Sequence, residues 1–462
     1  MLRATVAASL VLATSWLTAA EPAATPNFIV IYCDDLGYGD LACFGNPLIK
    51  TPNLDKMAAD GQRWTHFYSP DAVCTPSRAG LLTGRFAVRC GLSTPGKDVL
   101  FPNSAGGLPA SELTLAQLLK RKGYATACVG KWHLGRPAEF LPTNRGFDSF
   151  FGIPYSNDMD RTGPAGAIKH AEDENFAFYN VPLMRNAEVI ERPADQRTLT
   201  RRYTHEAKSF IEKNRAKPFF LYLAHTMPHI PLFRSAEFKN RSKGGIYGDV
   251  IEELDASTGE LRALLADLKI SDNTLIVFTS DNGPWLSFKT HGGTAGPLRS
   301  GKGSTWDGGQ RVPAIFCWPG KIPAGTVSSV ACAVDIFPTL ASLAAAPLPE
   351  NLLIDGQDLT PALLHARPLP RETMFFWRHG ALLAVREGPW KAHFATQEAF
   401  AADSTRISHA PPLLFNLIDD QGESTEVGAA HPDILARLTA LRNAHLATVS
   451  PAPDQLAPTL KK

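Results

Sequence analysis

Short apolar segments, rich in β-branched or aromatic residues, recur along most of the chain. Five of them have the length of a strand that is buried on both faces: Phe28–Cys33, Ala125–Val129, Phe219–Leu223, Leu275–Thr279 and Ala314–Trp318. The pattern predicts that these segments are core strands.

The segments between these strands carry apolar residues at helical spacing. Thr114–Lys122 ends at Gly123, a residue that suits the position after a helix, and Arg201–Arg215 places its apolar residues on one side. Val250–Lys269 repeats isoleucine and leucine with a period close to 3.6 residues. Strands that alternate with helices predict an α/β fold with a large, mostly parallel sheet flanked by helices.

The composition changes after about residue 345, where alanine, proline and leucine become frequent. Four short segments beyond this point are typical of strands joined by turns: Thr373–Trp377, Leu382–Arg386, Lys391–Phe394 and Leu413–Leu417. A helical pattern follows at Asp433–Ala447. We therefore predict a large α/β domain over 25–365 and a small C-terminal subdomain over 366–462, built from an antiparallel sheet plus a helix.

The N-terminal segment 1–20 has its own character. Arg3 is its only charge, an apolar stretch covers 6–17, and small residues cover 18–20. This layout is typical of a cleaved secretory signal peptide. A membrane anchor is the alternative, but the apolar stretch is short and interrupted by Thr and Ser. We expect an exported chain, periplasmic or extracellular, with no membrane span.

Composition and charge narrow the possible functions. Lys plus Arg is 46 and Asp plus Glu is 45, which gives a net charge of +1. Near-neutrality argues against nucleic acid as a partner, since such partners attract strongly basic proteins. Hydrophobic residues at 44% exclude wholesale disorder. The seven cysteines are an odd number in a long chain, so they do not indicate a disulfide scaffold.

Polar residues that could bind a ligand or take part in catalysis follow four of the predicted strands. Each of these tails alone is weak evidence, because an Asp after a strand is more often a turn former. Together they are informative, because the carboxyl ends of parallel strands form one ligand-binding edge. In chain order the tails contain Asp34 and Asp35, then Lys131 and His133, then His225 and His229, then Asp281 and Asn282.

The first and last of these tails offer only oxygen ligands. Oxygen-only sites favour hard cations such as Ca²⁺ or Mg²⁺, whereas a zinc site would need more His or Cys. The alternative is that Asp34 and Asp35 merely form a turn. Two adjacent carboxylates that are buried would need a cation, a proton or solvent. The sequence therefore predicts a metal site.

Cys74 lies in a polar turn that leads into a helical pattern. Pro76 suits the first turn of a helix, which would place Cys74 at a helix N-terminus with Arg78 one turn further on. The helix dipole at such a position lowers the pKa of a thiol, so we expect a reactive thiol here. The alternative is a free structural cysteine.

In these motifs the chain resembles the sulfatases of the alkaline phosphatase superfamily, and among them the arylsulfatase A-like branch. The family signature Cys-x-Pro-x-Arg matches Cys74–Arg78, which continues into AGLLTGR. Further motifs match in order: NFIVIYCDDLGYGDL, GKWHLG, TNRGFDSFFGIPYSND, PHIP, DNGP and GKGSTWDGG. The resemblance spans about residues 27–320 and implies an alkaline phosphatase-like fold.

The resemblance also implies a cofactor and a nucleophile. In the family this cysteine is oxidised by a formylglycine-generating enzyme, so Cys74 would become 3-oxoalanine (formylglycine), whose hydrate attacks sulfur. The metal would be Ca²⁺, with Mg²⁺ less favoured. Its implied ligands are Asp34, Asp35, Cys74, Asp281 and Asn282.

The remaining roles are also carried over by resemblance. Arg78 and Lys131 would stabilise the hydrated aldehyde, and His133 would be the base that breaks the sulfated intermediate. The residues that would contact the sulfate or its leaving oxygen are Ser156, Lys131, His229 and Lys302, with His229 or Lys302 as the acid. The chain departs from the branch at Asn157, which we expect to touch substrate, and at Asp307, where Glu is usual.

These features predict a sulfatase that acts on a sulfated carbohydrate or an aryl sulfate. Two alternatives stay open: a hydrolase of phosphate diesters or phosphonate esters, which shares the cysteine motif, and a non-catalytic protein that binds sulfated glycans. The substrate would depend on loops, for which 157–200 and 285–298 are the candidates.

Overall fold

A computed structural model describes residues 25–162, 174–398, 400 and 405–461 of the chain. The predicted signal peptide lies outside the described residues. Among the described helices, none is both long and apolar enough to cross a membrane. The seven cysteines carry free thiols.

The described residues form strands and helices throughout. The strands are β1 Asn27–Cys33, β2 Gln62–Trp64, β3 Phe67–Tyr68, β4 Ala125–Lys131, β5 Ser149–Ile153, β6 Leu183–Arg185, β7 Glu188–Glu191, β8 Phe219–Ala224, β9 Thr274–Ser280, β10 Ala314–Cys317, β11 Gly325–Val327, β12 Ala331–Cys332, β13 Thr373–Arg378, β14 Ala381–Glu387, β15 Trp390–Thr396 and β16 Ile407–Asn416. The helices are α1 Pro52–Asp60, α2 Cys74–Thr83, α3 Leu115–Lys120, α4 Leu199–Asn214, α5 Gly245–Asp267, α6 Asp307–Gln310, α7 Ile336–Leu343, α8 Thr360–His365 and α9 Pro432–Thr448.

The large sheet has the strand order β11-β2-β10-β9-β1-β8-β4-β5-β6-β7 within the described part of the chain. Its central strands β9, β1, β8, β4 and β5 run parallel to their neighbours in this series. Successive residues of β1 enter different hydrophobic cores, with Val30 in one and Ile31 in the other. Burial on both faces explains why the central strands are continuous apolar runs. The predicted α/β fold is confirmed.

The small sheet is antiparallel, with the order β13-β14-β15-β16. Helix α9 packs against it, because Ile434 and Leu438 share a core with Ala384 and Leu414. The predicted antiparallel sheet with one helix is therefore present. Strand β16 begins several residues before the predicted segment, at Ile407. The proposed domain boundary at 365/366 stays a prediction.

The edges of the large sheet differ from a purely parallel arrangement. Strand β10 was among the predicted strands, but it pairs antiparallel with both β9 and β2. Strands β2, β6 and β11 have only three residues each. Segments this short do not carry a readable period, so they were not anticipated from the sequence.

Candidate active site

The four polar tails meet at one edge of the large sheet, as predicted. They follow β9, β1, β8 and β4, which are neighbours in the strand order. Two of the tails turn sharply, because Asp35 has φ 66° and His133 has φ 56°. Non-glycine residues with left-handed backbone are costly and concentrate at functional sites. These two turns therefore occur where the polar tails leave their strands and the candidate site forms.

Six charged side chains at this edge form a buried group, here termed the strand-end cluster: Asp34, Asp35, Asp281, Arg78, Lys131 and Lys302. Three carboxylates are matched by three cations. The nitrogen–oxygen distances are 2.5 Å for Lys131–Asp34, 2.8 Å for Lys302–Asp35 and 2.7 Å for Arg78–Asp281.

The three carboxylates of the strand-end cluster are not equivalent. Burial alone would raise the pKa of Asp34, but the nearby Lys131 charge and other cations outweigh it and lower the pKa well below its usual value. Burial raises the pKa of Asp35. Burial and the charge of Asp34 raise the pKa of Asp281 to about 7. The protein's own cations therefore leave two of the carboxylates under-compensated.

The donor atoms at this edge suit a hard cation. Ligand atoms of Asp34, Asp35, Cys74 and His229 all lie within 4.8 Å of one another. Asn282 donates through its amide nitrogen to Asp35 at 2.7 Å, while its Oδ1 is buried without a hydrogen-bond partner among the described residues. The Asn282 oxygen is thus a buried acceptor without a donor, and it lies beside carboxylates whose burial is not fully offset by the protein's cations. A divalent cation bound here would satisfy both.

Cys74 is the first residue of α2, as the sequence predicts, and it is buried. Its Sγ donates to Asp34 Oδ1 at 3.3 Å. The expected lowering of the thiol pKa is wrong, because burial and the neighbouring Asp34 charge raise the pKa well above its usual value. The unmodified residue is therefore a neutral thiol.

The His133 ring has one nitrogen free to accept a proton. Its Nε2 lies 2.8 Å from the carbonyl oxygen of Leu100. A carbonyl can only accept, so this nitrogen carries the proton. Nδ1 is buried and has no partner in the described structure. Burial and the charge of Lys131 lower the pKa of His133 well below its usual value, so the ring is neutral.

A second group of side chains stands beside the strand-end cluster. Ser156 Oγ lies 3.2 Å from Lys131 Nζ and 3.4 Å from His229 Nε2. The other ring nitrogen of His229 donates to the Ile230 carbonyl at 2.5 Å, and the ring contacts Trp285 with centroids 5.4 Å apart. Burial, followed by the charge of Lys302, lowers the pKa of His229 well below its usual value.

A pocket of about 190 Å³ opens onto these groups. Cys74, His133, Ser156, His229 and Lys302 all line it, so the structure brings the predicted nucleophile, the predicted base and three of the four predicted sulfate-contacting residues to one cavity. The fourth, Lys131, is not among the lining residues and lies behind Ser156, with its Nζ 3.2 Å from Ser156 Oγ. The remaining wall residues are Val73, Asp98, Val99, Phe101, Asp158, Met159, Trp285 and Phe400.

Part of this wall was predictable from the sequence. Asp158 and Met159 fall in the expected loop 157–200, and Trp285 falls in the expected loop 285–298. Asp98 and Phe400 were missed, because they lie in irregular segments far apart in the chain and far from any matched motif. The sequence offered only their residue types, an acid and an aromatic residue, and no motif or period that would connect them to the site.

Two residues singled out in the sequence lie away from the pocket wall. Asn157 is fully buried and donates to Gln196 and to the Pro231 carbonyl, both at 3.1 Å. It is not among the described residues that line the pocket, so the expectation that it touches substrate is not supported. His225 is also buried, neither ring nitrogen has a partner in the described parts of the chain, and burial lowers its pKa to about 3.

Comparison with known proteins identifies the class. A family model described as sulfatase matches residues 26–346. A second model, described as the C-terminal region of aryl-sulfatase, matches residues 369–461. The chain therefore belongs to the sulfatase family, and the protein is a sulfuric ester hydrolase.

Individual relatives support the same placement. The chain is 42% identical to arylsulfatase A of Homo sapiens, with 94% of this chain and 90% of that protein covered. It is 39% identical to N-acetylgalactosamine-6-sulfatase of Canis lupus familiaris, with coverages of 97% and 91%. A crystal structure of a Pseudoalteromonas sp. sulfatase superposes with a TM-score of 0.82 at 30% identity, covering 94% of this chain and 92% of that one. The resemblance to arylsulfatase A-like sulfatases is confirmed.

Proposed function

We propose that the protein hydrolyses sulfate esters of a carbohydrate or an aryl group through a formylglycine hydrate made from Cys74, with Ca²⁺ bound beside it. The observation that carries the proposal is the position of Cys74. It lines the pocket and shares a compact group of donor atoms with Asp34, Asp35 and His229. Maturation by a formylglycine-generating enzyme would convert its neutral thiol to the aldehyde.

The cation would be held by the residues of two strand tails. Asp34, Asp35, Asp281 and Asn282 would supply its protein ligands, with the modified side chain of residue 74 completing the site. When bound, Ca²⁺ supplies positive charge that favours the ionised nucleophile and the sulfuryl oxygens. The unpartnered Oδ1 of Asn282 supports this ligand set. We favour Ca²⁺ over Mg²⁺ because Ca²⁺ accepts an all-protein oxygen cage more readily.

Protein residues would carry the remaining steps. One hydroxyl of the hydrate would lose its proton to solvent and attack sulfur as the oxyanion, and the ester oxygen would leave with the electrons of the broken S–O bond. Arg78 and Lys131 offset the charge on the hydrate and the sulfuryl group. The unpartnered Nδ1 of His133 then takes the proton of the second hydroxyl. The carbonyl re-forms, sulfate leaves, and water does not have to attack the crowded sulfur.

The leaving oxygen also needs a proton when the alcohol is a poor leaving group. His229 and Lys302 both line the pocket. Lys302 can give a proton from its ammonium group, whereas His229, whose Nδ1 donates to Ile230, could give one from Nε2 only after the ring is doubly protonated, a state that a bound sulfate anion favours. Ser156 would bind a sulfate oxygen, and its contacts with Lys131 and His229 support this role.

We also propose that the chain is exported after removal of residues 1–20, and that residues 25–365 form the catalytic domain and residues 366–462 the C-terminal subdomain. The early apolar segment of the sequence supports the export, and the separation of the two larger sheets supports the boundary.

The test is a panel of esters that share one alcohol and differ in the transferred group. Matured protein and the Cys74→Ala variant would be assayed with matched sulfate esters, phosphate diesters and phosphonate esters. The proposal expects sulfate esters to have the highest kcat/KM, and Cys74→Ala to remove that turnover. A preference for phosphate diesters or phosphonates would establish the phosphoryl alternative. Glycan binding without any turnover by matured protein would establish the non-catalytic one.

A further inference from the structure

The pocket wall contains a charge pattern that the sulfate chemistry does not use. Apart from the residues proposed to act on the sulfate, two of the residues that line the pocket are carboxylates, Asp98 and Asp158. The neighbouring wall is apolar and includes Trp285 and Phe400. A cavity that must receive an anionic group thus carries two acids in its wall.

Asp98 is held in place from the C-terminal region. Arg378, at the end of β13, forms an ion pair with it and is only 1% exposed. His379 Nε2 lies 2.5 Å from the same carboxylate. Arg378 also donates to the Gly303 carbonyl at 3.1 Å and lies over the Phe400 ring at 5.2 Å. One buried guanidinium therefore fixes Asp98, Phe400 and the loop that carries Lys302.

Asp98 keeps its negative charge. Burial alone would raise its pKa, but the hydrogen bond from His379 and the charge of Arg378 outweigh burial and lower the pKa. The Asp98 side chain is still 31% exposed. It can therefore accept hydrogen bonds from a molecule in the pocket while its other contacts hold it in position.

Asp158 offers a second acceptor. Its Oδ2 is 3.4 Å from Arg161, while its Oδ1 is buried without a partner in the described portion of the structure. A buried carboxylate oxygen that lacks a donor is costly. A hydroxyl group of a bound substrate would supply that donor.

Asp98, which Arg378 holds in place, and Asp158, which pairs weakly with Arg161, accept hydrogen bonds from hydroxyls and repel anions that approach the oxygens their arginines leave open. The aromatic faces of Trp285 and Phe400 suit the C–H face of a sugar ring. We propose, building on the proposed function, that the group bearing the scissile sulfate is an uncharged sugar whose hydroxyls donate to Asp98 and Asp158, and that these carboxylates exclude sugars that carry a second anionic group. Asp98 and Asp158 are specificity-determining residues of the pocket.

The test uses a matched set of sulfated methyl hexopyranosides. One series carries a single sulfate at each hydroxyl in turn, a second carries an additional sulfate, and a third replaces the hexose by a uronic acid. For wild-type enzyme, the best neutral monosulfated sugar should exceed its best anionic counterpart at least about tenfold in kcat/KM. This ratio should fall as ionic strength rises, because salt screens the repulsion.

Asp98→Asn leaves the Arg378 charge unopposed, so the ratio should fall at least about tenfold, chiefly through KM for the anionic sugars. Asp158→Asn should lower it in the same direction and provides a second variant that leaves Arg378 paired. Asp267→Asn is the matched control, because Asp267 is exposed at the end of α5. Circular dichroism would verify folding of each variant.

The outcomes separate this inference from the function on which it rests. Turnover of nitrophenyl sulfate with equal or greater activity on disulfated sugars would overturn the inference alone. An unchanged ratio in both folded variants would do the same. If matured wild-type enzyme hydrolysed no sulfate ester, the proposed function would fall, and the inference with it.

Discussion

Two buried clusters of charge can be compared in this molecule. One is the strand-end cluster at the pocket. The other, here termed the interface cluster, joins α6 to the small sheet and consists of Asp307, Glu423, Lys391, His393, Tyr68, Arg311 and Arg386. Both contain carboxylates and cations that are almost completely removed from solvent. Every carboxylate oxygen in both clusters has a hydrogen-bond partner. The clusters differ in their charge balance and in whether the pocket of about 190 Å³ lies beside them.

The carboxylates of the interface cluster are fully used. Asp307 accepts a hydrogen bond from Lys391 Nζ at 2.8 Å on one oxygen and from the Tyr68 hydroxyl at 2.9 Å on the other. Glu423 accepts a hydrogen bond from His393 Nε2 at 2.7 Å on one oxygen and from the Asp307 backbone N–H at 2.6 Å on the other. Burial alone would raise the pKa of Asp307, but the Lys391 charge and its neighbours outweigh it and lower the pKa.

The strand-end cluster has three cations for three carboxylates, whereas the interface cluster has three cations for two carboxylates. The pKa of Asp281 is raised to about 7 by burial and the Asp34 charge. Beside this cluster, Asn282 Oδ1 and His133 Nδ1 are buried without partners within the described residues, and His393 Nδ1 of the interface cluster also lacks a partner. Buried charge by itself therefore does not mark a functional site. Unpartnered acceptors beside a pocket are the feature that separates the proposed reactive cluster from the interface cluster.

The largest expected effect comes from the proposed metal ligands. Asp281→Ala removes a ligand and unbalances the charges around Asp34, so kcat/KM should fall at least about a thousandfold, or about 4 kcal/mol of transition-state energy. Chelation should inactivate wild-type enzyme, and added Ca²⁺ should restore it. Asp267→Ala is the control and should retain activity. A demetallated enzyme that keeps its full rate would show that the ligand assignment is wrong.

Substitutions in the interface cluster should lower the free energy of unfolding instead of the activity. Lys391→Met leaves two buried carboxylates without their shared cation, which should cost about 3–5 kcal/mol of unfolding free energy. Lys208→Met is the matched control, because the Lys208–Glu260 pair is exposed and should contribute less than about 1 kcal/mol. Denaturant unfolding gives both values. Equal losses in the two variants would mean that the interface cluster contributes no special stability.

The next effect separates the two histidines of the pocket. A sugar alkoxide leaves less readily than an aryl oxide, so His229→Ala should reduce sugar-sulfate turnover at least about tenfold more than nitrophenyl-sulfate turnover. His133→Ala removes the proposed base, which works only after the leaving group has departed. Sulfated enzyme should therefore accumulate with either substrate. Kinetics with both substrates and intact-protein mass spectrometry measure these outcomes. Equal losses in His229→Ala would transfer the acid role to Lys302.

The smallest effect is a pH dependence of stability. The folded pKa of Asp307 lies below its unfolded value of about 3.9. The stability that its charge supplies is complete above that value and is lost as the pH falls below it. Asp307→Asn should therefore flatten the acid limb of unfolding free energy against pH by up to about 1.4 kcal/mol per pH unit. An acid limb as steep as that of wild type would exclude Asp307 as its source.

The strand-end cluster was more predictable from sequence than the pocket wall. Asp34 and Asp281 follow long apolar strands, and the strand-end rule for parallel sheets brings such residues together. The raised thiol pKa of Cys74 was not predictable, because it depends on burial and on the distance to Asp34. Asp98 and Arg378 could not be paired in advance, since no periodic pattern relates an irregular loop to the end of a strand far along the chain.

The most direct test of the central claim is the chemical state of Cys74 in active enzyme. Protein matured with a formylglycine-generating enzyme would be digested and its peptides analysed by mass spectrometry after treatment with a hydrazide and with iodoacetamide. The fraction of the Cys74 peptide that reacts with hydrazide should rise in proportion to specific activity across preparations, and that fraction should not alkylate. Fully active enzyme in which Cys74 alkylates completely would contradict the account.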